Sequence, residues 1–165
     1  MSKVYDDLMA AFAGESQANR KYLAYAKKAE AEGHAQVARL FRAVAHAETI
    51  HALNHFERAG EVGATLENLK AAAEGEHYES TEMYPSFMQD AEAEGDARAL
   101  KSFHWANEAE KVHEVLYKEA IELLGKPGET YDYFICPVCG YTEKRSAPEK
   151  CPVCGAPGIR FEKIS

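Results

Sequence analysis

The segment ETIH, residues 48–51, has a counterpart in EKVH, residues 110–113, and the two together decide the fold of most of this chain. In each segment a glutamate precedes a histidine by three positions, so both side chains lie on one helix face. The residues on either side are apolar at three- and four-residue spacing, which indicates that this face is the inner one. Burying a bare carboxylate costs several kcal/mol, so each pair requires a compensating charge.

Two other helical segments supply single glutamates to such inner faces. The apolar stripe of the first segment runs through Leu8 and Phe12 and then meets Glu15, and the third segment carries Glu79 within ESTEMYP, residues 79–85. Lone glutamates from two helices, combined with Glu-x-x-His from two others, are the ligand pattern of carboxylate-bridged di-iron or dimanganese sites in four-helix bundles. Mixed carboxylate and imidazole ligands suit such cations. The pattern therefore predicts a dinuclear metal site.

The positions of glycine and proline divide this part of the chain into four predicted helices. Their approximate ranges are 4–32, 35–59, 75–94 and 96–124. The connection between the second and third helices, residues 60–74, is long and contains a predicted short helix. We therefore expect an all-α four-helix bundle in which this connection crosses over.

Charge and cysteine placement separate a second domain from the bundle. Residues 1–132 carry a net charge of −10 and residues 133–165 a net charge of +2, and all four cysteines lie in the second segment. We predict domains at 1–130 and 131–165. The overall charge of −8 argues against a nucleic-acid partner. The sequence shows neither a signal-peptide pattern nor a membrane-length apolar run, so we expect a cytoplasmic protein that does not associate with membranes.

The second domain is organised around two cysteine pairs, in CPVCGY at 136–141 and CPVCG at 151–155. Two C-x-x-C segments this close together strongly indicate a tetrahedral four-thiolate metal site. About 33 residues are too few for a self-sufficient core, so the metal must contribute folding energy. Sulfur ligands alone do not separate zinc from iron, but the neighbouring redox-capable dinuclear site favours iron.

The sequence resembles the rubrerythrin family over nearly its whole length. The segments that carry the resemblance occur in the family's order: AFAGESQANRKY, ETIH, EGEHYESTEMYP, EAEKVH and the two CPVCG segments. The resemblance implies that 1–130 is a ferritin-like di-iron four-helix bundle. It also implies that 131–165 is a small rubredoxin-like β/loop domain with one iron bound by four cysteines.

Individual site residues follow from the same resemblance. The implied di-iron ligands are Glu15, Glu48, His51, Glu79, Glu82, Glu110 and His113, and the implied ligands of the single iron are Cys136, Cys139, Cys151 and Cys154.

The resemblance also suggests that Glu82, His51 and Tyr22 act in catalysis. Glu82 and His51 would alternate on one iron as its oxidation state changes. Pro85 cannot donate a helical hydrogen bond to Thr81, which predicts a loosened backbone around Glu82. Tyr22 either packs in the core or hydrogen-bonds a metal-bound carboxylate.

The resemblance implies an NADH-linked peroxidase, an oxidoreductase that reduces hydrogen peroxide to water. Electrons would pass through the rubredoxin-like centre from a donor such as a rubredoxin or an NAD(P)H-dependent reductase. The alternatives are a ferroxidase that handles iron and a non-enzymatic helical module with a zinc ribbon. We also expect a homo-oligomer, at least a dimer, in which the tail of one chain lies near the di-iron site of another.

Overall fold

The computed structural model describes residues 2–165, which form two compact units. The first unit ends at Gly63, and the second comprises Ala64–Ser165. Within the described residues, no helix combines the length and the apolar character that a bilayer crossing would require.

The first unit is a hairpin of two long helices, α1 (Lys3–Ala31) and α2 (Ala35–Arg58). The side chain of Ser2 caps α1 by accepting a hydrogen bond from the Tyr5 amide. On α2, the buried residues Ala38, Ala45 and Ala52 recur every seven positions along one face. Small side chains at this spacing let the helix backbones approach closely along their length.

Polar and aromatic contacts fix the register of the hairpin near the first Glu-x-x-His segment. The Asn19 side-chain amide donates to the Ala45 carbonyl at 2.6 Å and to the Thr49 hydroxyl at 2.7 Å. Two turns beyond, the rings of Phe12 and Phe56 lie 4.6 Å apart. These contacts are made on both sides of residues 48–51 and hold α1 against that segment.

The second unit begins with a helix that starts earlier than the sequence pattern suggested. Helix α3 covers Thr65–Tyr78, so the predicted start at residue 75 was wrong and the short helix predicted within 60–74 is the first part of α3. The start is set by the Glu67 carboxylate, which accepts a hydrogen bond from the Ala64 amide at 2.8 Å. A glutamate at this position satisfies an amide that has no partner within the helix.

A π turn, Glu79–Met83, joins α3 to α4 (Tyr84–Glu94) without a break. The Tyr84 amide donates to the Glu79 carbonyl, five residues back, instead of the usual four. Pro85 follows at once and has no amide with which to restore the α-helical pattern. The predicted disturbance before Pro85 is therefore present, and it takes a form that often marks functional sites.

Helix α5 (Ala97–Leu123) follows α4 after a tight turn. Gly95 adopts a left-handed conformation with φ of +70°, and the Asp96 side chain accepts hydrogen bonds from the Arg98 and Ala99 amides. The rings of Phe87 and Phe103 then meet at 5.5 Å between α4 and α5. The turn and this aromatic contact align α5 with the π turn.

The remainder of the second unit is a small antiparallel sheet of β1 (Tyr133–Ile135), β2 (Thr142–Lys144) and β3 (Glu162–Ile164), in the order β2-β1-β3. A short 3-10 turn, Gly158–Arg160, precedes β3. The buried core of this region consists of Cys136, Cys151 and Ala156, with Tyr141 and Phe161 packed against them. Such a core is too small to be stable without a bound metal.

Candidate metal centres

The four cysteines converge as the sequence predicted. The sulfur atoms of Cys136 and Cys154 lie 3.5 Å apart, those of Cys139 and Cys151 lie 3.4 Å apart, and none of the four forms a disulfide. A tetrahedron with metal–sulfur bonds of ~2.3 Å has edges of ~3.8 Å. The arrangement therefore fits one tetrahedral metal ion after a small expansion.

The two cysteine pairs share one backbone design. The Gly140 amide donates to the Cys136 carbonyl at 3.0 Å, and the Gly155 amide donates to the Cys151 carbonyl at 2.9 Å. Gly140 has a φ of +81° and Gly155 a φ of +75°, and a residue with a side chain would be strained in this conformation. The turns direct backbone amides at the sulfurs. At Cys136, burial raises the pKa but hydrogen bonds from the Val138 and Cys139 amides outweigh it and lower the pKa to about 7.

The first helical unit brings Glu15, Glu48 and His51 together. The His51 Nδ1 atom lies 2.9 Å from a Glu48 oxygen and 3.9 Å from a Glu15 oxygen, and one ligand atom from each residue lies within 4.8 Å of the others. Two carboxylates and an imidazole on one side of a helix pair are suitable ligands for one iron ion.

The ring of Tyr22 lies farther along the same hairpin, in contact with other aromatic rings. Its centroid is 6.1 Å from that of Phe41 and 6.3 Å from that of Tyr25. These contacts account for Tyr22 as a packing residue of the α1–α2 interface. Its hydrogen bond to a metal-bound carboxylate stays a prediction.

The second unit forms an equivalent cluster from Glu76, Glu110 and His113. The His113 Nδ1 atom lies 2.6 Å from a Glu110 oxygen and 3.8 Å from a Glu76 oxygen, and one ligand atom from each residue lies within 4.8 Å of the others. Glu76 was not among the predicted ligands. The predicted helix began only at residue 75, which placed Glu76 at a frayed end instead of in the middle of a long helix. The signal for it was the three-residue spacing between Glu76 and Glu79.

Electrostatics identify this second cluster as a site that requires a cation or protons. Burial and the charge of Glu110 raise the pKa of Glu76 to about 7. The same two causes raise the pKa of Glu79. Burial, followed by the charges of Glu110, Glu79 and Glu76, also raises the pKa of Tyr84, whose phenol thus remains a hydrogen-bond donor at neutral pH. A bound cation would remove this repulsion, so the donor set fits a metal.

The structure does not bring Glu82 into this cluster. Glu82 is exposed, and within residues 2–165 the carboxylates grouped with His113 come from Glu76 and Glu110. The π turn explains the difference. Because a π turn contains more residues per turn than an α-helix, residues Glu79 and Glu82 no longer stack on one face as they would at regular α-helical spacing. Glu79 instead remains within the electrostatic reach of Glu110 and His113.

Both parts of the chain match known protein families. Residues 6–121 match the rubrerythrin family model, and residues 134–162 match the rubredoxin-like domain of rubrerythrins. The chain belongs to the rubrerythrin family. Rubrerythrin-2 of Clostridium acetobutylicum is 36% identical, with 95% of this chain and 94% of the relative covered. Nigerythrin of Nitratidesulfovibrio vulgaris is 38% identical, with 94% of this chain and 84% of the relative covered.

Solved structures agree with this membership. A partially reduced nigerythrin structure matches with a TM-score of 0.61 and 36% identity, covering 99% of this chain and 88% of that chain. The predicted fold class, a ferritin-like helical fold followed by a small rubredoxin-like domain, is confirmed. As a member of the rubrerythrin family, the protein is an oxidoreductase. Its cofactors are a di-iron centre and one iron bound by four cysteines.

Proposed function

We propose that this protein is a peroxidase that reduces hydrogen peroxide to two molecules of water. The observation that carries the proposal is the presence, in one chain, of two Glu–Glu–His clusters and a four-thiolate site. A peroxide molecule needs two electrons and two protons to become water, and this set of sites can store the former and deliver the latter. The proposed iron ligands are Glu15, Glu48 and His51 in the first unit, and Glu76, Glu79, Glu110 and His113 in the second.

The chemistry divides between the metal and the side chains. When bound, two ferrous ions supply two electrons together, so the O–O bond breaks without release of a hydroxyl radical. Glu76 would bind the metal as a carboxylate, and the pKa of about 7 that burial and Glu110 give it in the metal-free protein means that it can take up and deliver a proton only when it leaves the metal. The Tyr84 phenol is close enough to Glu110, Glu79 and Glu76 to feel their charges, and we propose that it donates a hydrogen bond to one of these carboxylates when the metal is bound.

The four-cysteine iron is the proposed entry point for electrons. We propose that a rubredoxin or an NAD(P)H-dependent reductase supplies them in the cytoplasm, where thiols stay reduced and available as metal ligands. Val138 and Ile159 are exposed apolar side chains of the predicted second domain, residues 131–165, called the cysteine domain below; Ile159 is 96% exposed. An apolar surface near a redox centre is typical of the small, transient contacts that electron carriers make.

The proposal predicts that the fully reduced protein reacts with hydrogen peroxide at least ~10-fold faster than with oxygen at the same concentration. The two electrons of the reduced site are enough to cleave the O–O bond of peroxide but not that of oxygen. Stopped-flow absorbance measures both rates when the reduced iron protein, kept anaerobic until mixing, is mixed with peroxide or with oxygen. Oxidation by oxygen at an equal or higher rate, with release of ferric iron, would replace the proposal with the ferroxidase alternative.

We also propose that the protein assembles as a homodimer or a larger homo-oligomer. Large apolar side chains of α2 are exposed, including Leu40 at 60% and Leu53 at 62%. Exposed apolar surface of this kind marks protein–protein contacts. Light scattering of the iron-loaded protein is expected to give at least twice the chain mass of 18.3 kDa. A monodisperse monomer with full turnover would contradict this.

A further inference from the structure

The cysteine domain contacts α5 of its own chain through the metal-facing histidine His113. The Nε2 atom of His113 lies 2.9 Å from the Thr142 hydroxyl and 3.2 Å from the Gly140 carbonyl oxygen. The Thr142 hydroxyl in turn donates to the Gly140 carbonyl at 3.1 Å. A second contact, the ion pair between Lys144 and Glu119, lies farther along the same helix. The cysteine domain is thus positioned on α5 of its own chain.

This contact keeps a proton on the Nε2 atom of His113. A carbonyl oxygen can only accept a hydrogen bond, so the Nε2 atom next to Gly140 must be the donor. The Nδ1 atom on the opposite side of the ring points towards Glu110 and Glu76, and without a metal it donates a hydrogen bond to the Glu110 carboxylate at 2.6 Å. Because Nε2 stays engaged with Gly140 and Thr142, Nδ1 is the nitrogen that can exchange its proton for a metal.

The same contact links the two metal-binding regions by a short path. Gly140 directly follows Cys139, one of the four cysteines. The path runs from the Cys139 side chain along the Cys139–Gly140 backbone to the Gly140 carbonyl oxygen. One hydrogen bond then crosses to the imidazole ring of His113, whose other nitrogen faces the carboxylates.

We propose that Thr142 is a positioning residue that holds His113 against the Gly140 carbonyl and thereby couples the four-cysteine iron to the metal that His113 binds. The step it serves is the transfer of one electron, in which the four-cysteine iron is oxidised by one unit and the di-iron centre is reduced by one unit. No bond forms or breaks, and the electron originates from the external reductant. This inference rests on the proposed electron entry through the cysteine domain.

The first test measures the histidine ring itself, without iron or peroxide. In the full-length protein loaded with zinc at all sites, nitrogen-15 NMR is expected to show His113 protonated at Nε2, with slow exchange of that proton. Thr142→Val should accelerate the exchange by about five- to tenfold, the effect of losing one hydrogen bond. Thr142→Ser keeps the hydroxyl and should restore slow exchange, and Thr130→Val in the linker is the matched control. A proton on Nδ1, or equal exchange in Thr142→Val, would overturn the proposal.

The second test measures electron transfer in the iron-loaded protein. A pulse of a one-electron reductant reduces the four-cysteine iron, and the return of its ferric visible absorbance reports transfer to the oxidised di-iron centre. Thr142→Val is expected to slow this return about five- to tenfold, whereas Thr142→Ser and Thr130→Val should not. An unchanged rate in Thr142→Val, despite faster ring-proton exchange, would refute the coupling. Because neither test uses peroxide, their results are independent of whether the protein is a peroxidase.

Discussion

Replacing Glu76 with glutamine is expected to remove about half of the iron from the di-iron centre and to lower peroxide turnover by ~100-fold or more. The Glu76 carboxylate lies 3.8 Å from His113 Nδ1 and is electrostatically coupled to Glu110. Glutamine has nearly the same shape but offers no negative charge to a cation. The substitution should therefore weaken metal binding and leave folding unchanged. Iron analysis of the purified variant, together with peroxide turnover, measures both effects.

Glu82 provides the matched control for this experiment. Glu82→Gln changes the same functional group six residues along the same helical rod, but its side chain is exposed and lies outside the carboxylate–histidine cluster. We expect Glu82→Gln to retain both irons and to lower turnover by no more than about threefold, as an exposed substitution away from a site should. If Glu82→Gln lost iron and Glu76→Gln did not, the assignment from the structure would be wrong and the original ligand prediction would stand.

The role of the π turn in the reaction can be tested at Glu79. It is the first residue of the turn, and burial and Glu110 raise its pKa. We therefore propose Glu79, instead of Glu82, as the carboxylate that alternates with His51. In that case, oxidised and reduced crystals of the native protein would differ in the position of the Glu79 side chain. Identical ligands in both states would contradict any carboxylate exchange at this centre.

Much of the architecture could be predicted because the sequence repeats its strongest patterns. The two C-x-x-C segments and the two Glu-x-x-His segments have fixed spacing, and spacing within one turn determines which side chains meet. The structure accordingly groups all four cysteines, and it groups Glu48 with His51 and Glu110 with His113.

The third helix could not be predicted as well, for two physical reasons. Its true start depends on Glu67 accepting a hydrogen bond from the Ala64 amide, a local interaction that no apolar periodicity reveals. Its π turn then changes the spacing of side chains, so the three-residue interval from Glu79 to Glu82 no longer means a shared face. The resemblance was therefore carried over to Glu82, three residues after Glu79, and passed over Glu76, three residues before it.

In the metal-free protein, the free energy of unfolding is expected to decrease as the pH rises from about 5 to about 8. In the metal-free protein the pKa of Glu76 is raised from 4.5 to about 7 by burial and by Glu110. Between these values the folded chain holds more protons than the unfolded chain, so its free energy of unfolding decreases as the pH increases. The pKa of Glu79 is raised for the same reasons and contributes with the same sign. The Glu76 shift alone should lower the free energy of unfolding by about 2 kcal/mol over this pH range, after partial screening by water.

His113 adds to this trend instead of opposing it. A hydrogen bond to Glu110, partly offset by burial, raises the pKa of His113. The stability contributed by its protonated form is complete below its ordinary pKa of 6.5 and is lost as the pH rises through the higher folded value. All three groups therefore make the metal-free protein least stable above neutral pH. Bound iron replaces their protons, so the iron-loaded protein should show little of this slope.

Two measurements check this pH dependence. Chelation of iron at about pH 6.5 should be accompanied by uptake of roughly one to two protons per chain, measured in weakly buffered solution with an indicator dye. Thermal unfolding of the metal-free protein should give a lower melting temperature at about pH 8 than at about pH 5. Glu76→Gln removes the largest of these shifts and should flatten the dependence, whereas Glu82→Gln should leave it unchanged. A metal-free protein that melts at the same temperature throughout this range, with no proton uptake on chelation, would show that these carboxylates do not form the proposed site.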